Sequence, residues 1–588
     1  MSMSFYLPLD NEDPDNNDTT NQKMDKEVVS SGGAADEIES QLISQPQRQK
    51  GGLITMPFII ANEALARMAS FGILPNMIVY LMGTYKLSLG KATQILILSS
   101  AATNFMPVVG AFVADSYLGR FLVVGLGSTF TFLGMSILWL TTMIHPAEDG
   151  KSATVGEMAT LLSALGLMSI GNGGLSCSLA FGADQVNRKD DPNNHTFLEI
   201  FFSWYYAFTI ISVIIGLTGI VYIQDHLGWK IGFGVPAILM LLSTLFFFLA
   251  SPLYVKIRKR TNFFTGFSQV VFASYNNRNI LLPPKNSSHF YHQPNDSDSS
   301  VVPTDKLRFF NKACVIKDHE QDKACDGSRI NPWSLCTVDQ VEELKSIVRV
   351  IPLWSTGIMM SLNIGGSFGL LQAKSLNRHI TSHFEVPAGS FSVILVGAVF
   401  IWIVIYDRVL IPLASKIRGK PVRISAKKRM GIGLFFYFLY LVTAATFETI
   451  RRKKAINDSD EGVSKMSAMW LAPQLCLAGI AEAFNLIGQN EFYYTEFPRT
   501  MSSVAVSLPG LGMAAGNLVS SFVFSTIENV TSRGGKKGWI CDDINEGRFD
   551  KYYWVIAGVS AVNVVYYLVC SWAYGPSVEE LNKDYIID

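Results

Sequence analysis

Three charged residues lie inside long apolar stretches of the sequence, where an unpaired charge is costly. Glu63 and Arg67 stand four residues apart in NEALAR, so a helix places both on one face. Glu482 stands alone among small and apolar residues in AGIAEAFN. Such residues indicate a functional site by default, and a lone carboxylate there favours its protonated form, which suits a proton carrier. The alternative for Glu63 and Arg67 is a structural pair between helices.

A second group of residues has the polar or aromatic character that a substrate cavity needs. Their spacing is equally typical of side chains that pack against lipid or neighbouring helices. The candidates are Asn104, Tyr205, Tyr206, Trp354, Asn363 and Asn485.

Asp115 and Arg120 lie in a short turn between two apolar segments, within GAFVADSYLGR. The small residues of this motif allow the adjoining helices to approach closely. Opposite charges at helix ends can pair when a gate closes and separate when it opens. We therefore expect Asp115 and Arg120 to act in gating, with Asp407 and Arg408 as their counterparts in the second half. The alternative is a charged helix end that marks the membrane interface.

Catalytic and metal chemistry have little support in the sequence. The seven cysteines form no CxxC pair, and His379 and His383 have no third ligand near them. No nucleophile–base pair occurs within the apolar segments, so we expect no enzymatic activity, no metal and no cofactor. The glycines from Gly171 to Gly174 follow no predicted strand, which favours close helix packing or a bend over a phosphate loop.

The composition excludes a soluble protein. Of the 588 residues, 49% are hydrophobic and only 16% are charged, against about 25% charged in soluble domains. The 48 basic and 48 acidic residues balance, so the chain has no basic field for nucleic acid. A long chain with so few charges is typical of a polytopic membrane protein.

Twelve segments are long and apolar enough for a helix to cross about 30 Å of hydrocarbon. They form two sets of six around a polar linker, which predicts an all-α membrane protein with the major facilitator fold. The predicted organisation is a disordered cytoplasmic tail at 1–50, six-helix halves at 51–255 and 346–575, a cytoplasmic linker with an amphipathic helix at 256–345, and a cytoplasmic tail at 576–588. The predicted spans are 55–82, 90–114, 121–144, 157–182, 199–223, 230–255, 346–372, 387–413, 430–448, 466–490, 501–527 and 553–574.

Basic residues set the predicted orientation. Seven Lys and Arg residues and no acidic residue lie between Lys416 and Met430, after the eighth predicted span. The positive-inside rule places that loop, both termini and the linker in the cytoplasm. A smaller basic cluster from Arg451 to Lys454 follows the ninth predicted span and would lie outside, where nearby acidic residues dilute it.

Seven short segments give the sequence a family resemblance that covers about residues 50–575. They begin at Asn62 (NEALAR), Asp115 (DSYLGR), Phe181 (FGADQ), Gly228 (GWKIGFGVP), Leu335 (LCTVDQVEELK), Ile351 (IPLW) and Arg429 (RMGIG). The sequence resembles the plant nitrate/peptide transporter family, the plant branch of the proton-coupled oligopeptide transporters, and most of all its first subfamily, which includes nitrate transporters. The resemblance implies the major facilitator fold, alternating access and proton-coupled uptake of nitrate, peptides or other organic solutes.

The chain departs from that family's pattern at three places. Ala66 replaces the second glutamate of the family's first-helix motif Glu-x-x-Glu-Arg, and Ser176 stands where the family usually has lysine. Some nitrate carriers have a histidine in the seventh span, and none occurs between 346 and 372. With that lysine gone, we expect Arg67 to be the only cation deep in the spans.

The resemblance assigns coupling and binding to Glu63, Arg67 and Glu482. Two ionised glutamates beside one arginine give a negative pocket that repels an anion, whereas protonation of both leaves a positive pocket that attracts one. We therefore expect Glu63 and Glu482 to carry protons and Arg67 to bind an anion. The other expected substrate-binding residues are Ser176, Tyr205, Trp354, Asn363 and Asn485.

The function predicted first is proton-coupled uptake of nitrate at the plasma membrane, with the vacuolar membrane as the alternative location. The alternatives are a carrier of a larger organic solute (a phytohormone, a secondary metabolite or a di- or tripeptide) and a coupling-deficient, transporter-like receptor. The expected partners are the small-molecule substrate, protons, the lipid bilayer and regulatory kinases at cytoplasmic loops, and no nucleic acid.

Overall fold

The computed structural model describes residues 51–577 with internal gaps. Residues 1–50 and 578–588, and Asn363 among the predicted site residues, lie outside the described part. The internal gaps are 145–152, 187–193, 257–262, 284–289, 294–301, 317–330, 332, 363–364, 382–383, 421–423, 458–463, 499–500 and 534–537.

Eight helices form the N-terminal half. A capping box starts α5, where the Thr154 hydroxyl accepts from the Glu157 N–H and the Glu157 carboxylate accepts from the Thr154 N–H. The helices are α1 Met56–Ile73, α2 Met77–Gly83, α3 Leu89–Val113, α4 Arg120–Ile144, α5 Val155–Leu175, α6 Ser178–Val186, α7 Asn194–Ile215 and α8 Val221–Leu249. Single π-helical turns extend α3 at Ala114–Leu118 and join α7 to α8 at Gly216–Ile220.

The linker contributes one helix before the C-terminal half begins. The helices are α9 Phe263–Asn276, α10 Val338–Gly357, α11 Gly365–Lys374, α12 Ser392–Ile405, α13 Ile411–Arg418, α14 Ala426–Asn457, α15 Ala472–Glu496, α16 Ser502–Thr531 and α17 Phe549–Tyr574. Four short strands lie between them: β1 Leu376–Asn377 pairs in parallel with β4 Ser464–Ser467, and β2 His379–Thr381 pairs antiparallel with β3 Phe384–Glu385.

Nine helical stretches in the described part are long and apolar enough to cross a membrane, and the bent pair α1 and α2 passes as a tenth. One of the nine, Thr196–Leu249, has 54 residues and breaks at Gly228, where φ is +79°. A 54-residue helix would be about 80 Å long, more than twice the hydrocarbon thickness, so this stretch supplies two spans. The remaining predicted span, 346–372, is occupied by α10, a 3-10 turn at Ile358–Ser361 and α11.

The backbone defines two ends of the molecule. At one end, the N–H groups of Gly51 and Gly52 donate to the carbonyls of Leu253 and Gln185, beside the start of α1 and the ends of α6 and α8. We call this the linker end. The opposite end, at which α3 begins and α16 ends, is called the far end.

Close helix packing explains the glycine run of α5, as predicted. A Cβ on Gly174 would lie 2.3 Å from the Val123 carbonyl oxygen of α4, and a Cβ on Gly173 would lie 2.6 Å from the Met106 oxygen of α3. Neither position has room for a side chain. The prediction of close packing at these glycines is therefore confirmed.

The helix of the ninth predicted span extends beyond its predicted end at residue 448. Helix α14 continues to Asn457, because the residues that follow Glu448 are mostly good helix formers. Arg451 lies within this helix with 0% of its side chain exposed, and it pairs with the equally buried Glu448. Arg67 is therefore not the only cation enclosed by the helices, and Arg451 is not part of an exposed loop.

The predicted amphipathic helix of the linker is continuous with the membrane segment that follows it. A capping box between Thr337 and Gln340 starts α10, which then runs unbroken to Gly357. The first turns of α10 pack with α9 around a buried cluster that includes Val341, Cys314 and Cys336. The described part of the linker thus forms a small packed unit on the linker end.

Candidate functional site

Helix α1 carries the predicted Glu63–Arg67 pair on one face. The Arg67 Nε donates to Glu63 Oε1 at 2.6 Å, and the Glu63 side chain is 2% exposed whereas that of Arg67 is 36% exposed. The second carboxylate oxygen, Glu63 Oε2, is buried and has no hydrogen-bond partner among the described residues. Tyr205 of α7 lies beside both charges. The pair therefore combines a buried carboxylate that has a free oxygen with an accessible guanidinium.

Glu482 lies in a cavity of about 190 Å³ within the C-terminal half. It forms no ion pair with any described residue. The lining comes from α10, α12, α14, α15, α16 and the turn after α10, and it includes Trp354, Tyr437, Tyr440, Asn485 and Gln489. The structure thus brings three predicted residues together here, Trp354, Glu482 and Asn485, whereas Glu63, Arg67, Ser176 and Tyr205 do not line this cavity.

The cavity wall offers hydrogen-bond donors to a ligand. Asn485 is buried and accepts a hydrogen bond from Gln489 Nε2 at 2.5 Å, while its own Nδ2 has no partner among the described residues. The Tyr437 hydroxyl is also buried without a partner. Trp354 is held by a bond from its Nε1 to the Leu508 carbonyl at 2.9 Å. The wall therefore suits a small ligand that accepts hydrogen bonds.

Sequence reasoning missed Tyr437, Tyr440 and Gln489. The two tyrosines belong to the aromatic run FFYFLY of α14, in which composition does not distinguish cavity residues from residues that face lipid. Gln489 follows Asn485 by one helical turn, and this spacing predicts that both residues share one helix face.

At the linker end, Arg120 forms two ion pairs inside the N-terminal half. It contacts Asp115 at 3.3 Å and Asp184 of α6 at 2.8 Å. In the second half, the corresponding helices α14 and α15 are joined by an ion pair between Arg429 and Glu491. An ion pair therefore joins the start of the third span to the end of the fourth, and another joins the start of the ninth span to the end of the tenth.

The other predicted positions lie apart from these pairs. Asp407 and Arg408 are exposed in the π-helical turn Tyr406–Leu410 and form no ion pair with a described residue. Ser176 ends α5, half-buried, and its hydroxyl donates to the Gly173 carbonyl at 2.7 Å. Asn104 donates to the Ser100 carbonyl within α3. The role of each as a gating or binding residue stays a prediction.

At the far end the two halves are joined directly. Gln94 of α3 bonds with Ser521 and also accepts from Ser525 of α16 at 3.3 Å. The Leu89 N–H donates to Asp542 Oδ1 at 2.6 Å, across the interface between the halves. Among the described residues, no group of three or more His, Cys, Asp or Glu side chains could hold a metal ion.

Comparison with known proteins gives consistent similarities. The sequence profile of the POT family (PTR2) matches residues 121–540. "Protein NRT1/ PTR FAMILY 1.2" of Arabidopsis thaliana is 51% identical over 563 residues, which cover 92% of this chain and 92% of that protein. "Protein NRT1/ PTR FAMILY 1.1" of the same plant is 52% identical over 573 residues, with 93% and 96% covered.

A solved structure shares the fold. The in meso crystal structure of the POT family transporter PepTSo superposes with a TM-score of 0.66 at 17% identity, covering 88% of this chain and 98% of that chain. The predicted all-α major facilitator fold is thereby confirmed.

Proposed function

The chain belongs to the POT family of multi-pass membrane transporters, and from this membership we propose that it takes up nitrate together with protons by alternating access. We further propose the plasma membrane as its location. The observation that carries the proposal is the unpaired Glu482 in the cavity of about 190 Å³. An anion enters such a cavity only when this carboxylate is neutral, which makes anion binding depend on a proton.

Charge magnitudes support this coupling. Two like charges 4 Å apart repel by about 4 kcal/mol at an effective dielectric constant near 20. Protonation of Glu482 removes that repulsion and adds an O–H donor beside the unpartnered Nδ2 of Asn485. A small anion with several acceptor oxygens can then bind to both donors.

The pair in α1 supplies a second coupling step in the proposal. Ionised Glu63 holds Arg67 through the 2.6 Å bond. A proton on the free Oε2 of Glu63 would neutralise the carboxylate and leave the guanidinium charge available to an anion. The Arg67 side chain is 36% exposed, which leaves it accessible to a small anion.

The size of the cavity favours a small ion over a larger solute. Pockets for drug-sized ligands occupy roughly 300–1,000 Å³, whereas the Glu482 cavity has about 190 Å³. A specific observation supports the organic-solute alternative: Trp354, Tyr437 and Tyr440 give the wall an aromatic character that suits an organic anion. Nitrate and organic solutes are therefore tested side by side.

In the proposed cycle, the described conformation is the inward-facing state. The positive-inside rule places the linker end in the cytoplasm. Contacts between Gln94 and the serines of α16, and between Leu89 and Asp542, close the far end. Transport then requires these far-end contacts to open in the other half of the cycle.

The experiment is uptake of labelled nitrate, a dipeptide and plant hormones into oocytes at pH 5.5 and 7.4. We expect nitrate uptake to be greater at pH 5.5, and we expect Glu482→Gln to abolish most of this pH dependence. Asp339→Asn is the matched control, since Asp339 is an exposed carboxylate at the linker end and outside the cavity. Cell-surface labelling normalises each uptake to the amount of protein.

Each alternative outcome has a distinct meaning. Identical uptake–pH curves for wild type and Glu482→Gln would refute coupling through Glu482. Uptake of a hormone or dipeptide in the absence of nitrate uptake would establish the organic-solute alternative. Absence of uptake for every solute, with normal surface expression, would favour the receptor.

A further inference from the structure

A second cavity adjoins the Glu482 cavity on its far-end side. Its volume is about 120 Å³, and Leu395, Tyr440 and Ala478 line both cavities. On α15, Gln474, Ala478 and Glu482 follow one another at intervals of four residues, so they share one helix face. Eight residues of helix advance about 12 Å, which places Gln474 two turns from Glu482 toward the far end.

Gln474 presents a free acceptor in this second cavity. Its side chain is 4% exposed, and its Oε1 is buried without a hydrogen-bond partner among the described residues. Its Nε2 donates to Gln372 Oε1 at 3.5 Å, and Gln372 Nε2 donates to Glu448 Oε2 at 2.7 Å. A chain of two amides thus connects the cavity to the buried Glu448–Arg451 pair.

That ion pair fixes which way both amides point. Arg451 donates to both oxygens of Glu448 at 2.8 Å, so Glu448 is held as a carboxylate that only accepts hydrogen bonds. Gln372 must therefore turn its nitrogen toward Glu448 and its oxygen toward Gln474. Gln474 must then use its nitrogen for Gln372, which leaves its oxygen for the cavity. The second cavity consequently suits a ligand that donates hydrogen bonds, and it disfavours an anion.

The titratable groups that line the two cavities leave Glu482 as the proton acceptor. Among the described residues that line the two cavities, the titratable side chains are Tyr437 and Tyr440 of α14 and Glu482 itself. The Glu448 and Arg451 charges lie behind Gln372 and are satisfied by each other. Glu482 is therefore the one described lining residue of either cavity that can accept a proton as a carboxylate.

We propose that the second cavity binds water and hydronium and delivers the coupling proton to Glu482 from the far end, past Ala478. Hydronium donates to Gln474 Oε1 and then transfers its proton: an O–H bond of hydronium breaks, an O–H bond forms on the Glu482 carboxylate, and neutral water remains. This inference rests on the proposed coupling role of Glu482. Ala478 lies between the two cavities with Leu395 and Tyr440, and its side chain is only a methyl group.

The test uses the full-length transporter with two substitutions that act in different ways. Gln474→Met keeps the shape but removes the acceptor, and Ala478→Val narrows the passage. For Gln474→Met we expect the proton concentration that gives half-maximal uptake to rise about tenfold, the scale of one lost charge-assisted hydrogen bond. For Ala478→Val we expect a rise in the same direction, because the proton path is narrower. Gln489→Met is the matched control, since it removes an amide from the same helix on the other side of Glu482. We expect this control to change the substrate KM without moving the proton midpoint.

A spectroscopic measurement separates proton delivery from a structural effect. After a jump to acidic pH, the infrared band of the protonated Glu482 carboxyl, identified by its absence in Glu482→Gln, should rise more slowly in Gln474→Met and Ala478→Val than in wild type. If both variants keep wild-type proton midpoints and wild-type rates while Glu482→Gln flattens the uptake–pH curve, proton delivery through the second cavity is refuted. The proposed function then stands. A wild-type curve for Glu482→Gln overturns both.

Discussion

The Asp542 carboxylate accepts a hydrogen bond from the Leu89 N–H at 2.6 Å, so the loop before the last span caps the first turn of α3 from the other half of the molecule. A carboxylate at a helix N-terminus satisfies a free N–H and interacts favourably with the helix dipole. Arg451 holds this loop in place, because it donates to Asn545 Oδ1 at 2.7 Å and to the Ile544 carbonyl at 3.3 Å.

Loss of this cap should loosen the far end. Asp542→Ala removes an interaction that contributes ~1 kcal/mol, which corresponds to an about fivefold larger open population. Spin labels at the exposed positions Lys91 and Ser532 report the far-end distance by pulsed electron resonance. Asp543→Asn serves as the control, since Asp543 bonds within its own loop to the Asn545 N–H. An unchanged distance distribution in Asp542→Ala would contradict the role of the cap.

The buried Glu448–Arg451 pair leads us to expect a larger loss of unfolding free energy in a single variant than in the double variant. Arg451→Leu leaves Glu448 buried without its partner, and it should destabilise the protein by about 3–5 kcal/mol. The double variant Glu448→Leu with Arg451→Leu should be more stable than the single variant, because no charge remains buried. Thermal unfolding in detergent, followed by tryptophan fluorescence, measures both. Lys453→Leu, at an exposed position of the same helix, should change little; a similar loss in this control would refute the argument.

The α1 pair predicts opposite effects for its two members. Glu63→Gln mimics the protonated state, so uptake should become less dependent on pH and approach its acidic value at pH 7.4. Arg67→Gln removes the only charge of the pair that attracts an anion, and the nitrate KM should rise about tenfold or more. Arg67→Lys keeps the charge and should retain part of the affinity. Equal kinetics for Arg67→Gln and wild type would rule out anion binding at this arginine.

The glycines of α5 provide a packing test within one helix. Gly174→Ala places a Cβ 2.3 Å from the Val123 oxygen, so it should destabilise the protein by about 1–3 kcal/mol. Gly166→Ala meets nothing within 4 Å and should be neutral or stabilising, because alanine has the higher helix propensity. Unfolding temperatures of the two variants decide the matter, and equal temperatures would argue against close packing at Gly174.

We expect the Cys314 thiol, which is buried in the linker unit, to be protected from labelling. Burial raises the pKa of the Cys314 thiol to about 12, against about 8.5 in an unfolded chain. The unfolded state therefore loses its proton first as pH rises, and the linker unit should lose stability progressively between about pH 8.5 and 12. At pH 8.5 maleimide should label Cys541 faster than the buried Cys314, as mass spectrometry can establish. Rapid labelling of Cys314 in the folded protein would show that the unit is open.

Much of the fold could be predicted from the sequence because a membrane span needs a long apolar segment, and this requirement is local. The spans, the linker and the α1 pair all follow from composition and from four-residue spacing. The predicted limit of the ninth span falls short of the end of α14, because hydropathy treats Arg451 as a reason to end a span. Its burial depends on Glu448, Ser375 and Asn545, and the last two come from distant parts of the chain.

The candidate site divides in the same way. Glu63, Arg67 and Glu482 could be singled out from the sequence alone, since an ionisable side chain in an apolar segment needs a reason to be there. Only the tertiary structure placed Glu482 with Tyr437 and Tyr440, brought Gln474 to Gln372, and joined Asp542 to Leu89. Those relationships join residues from distant parts of the chain, and their distances depend on how the helices and loops pack rather than on any local pattern.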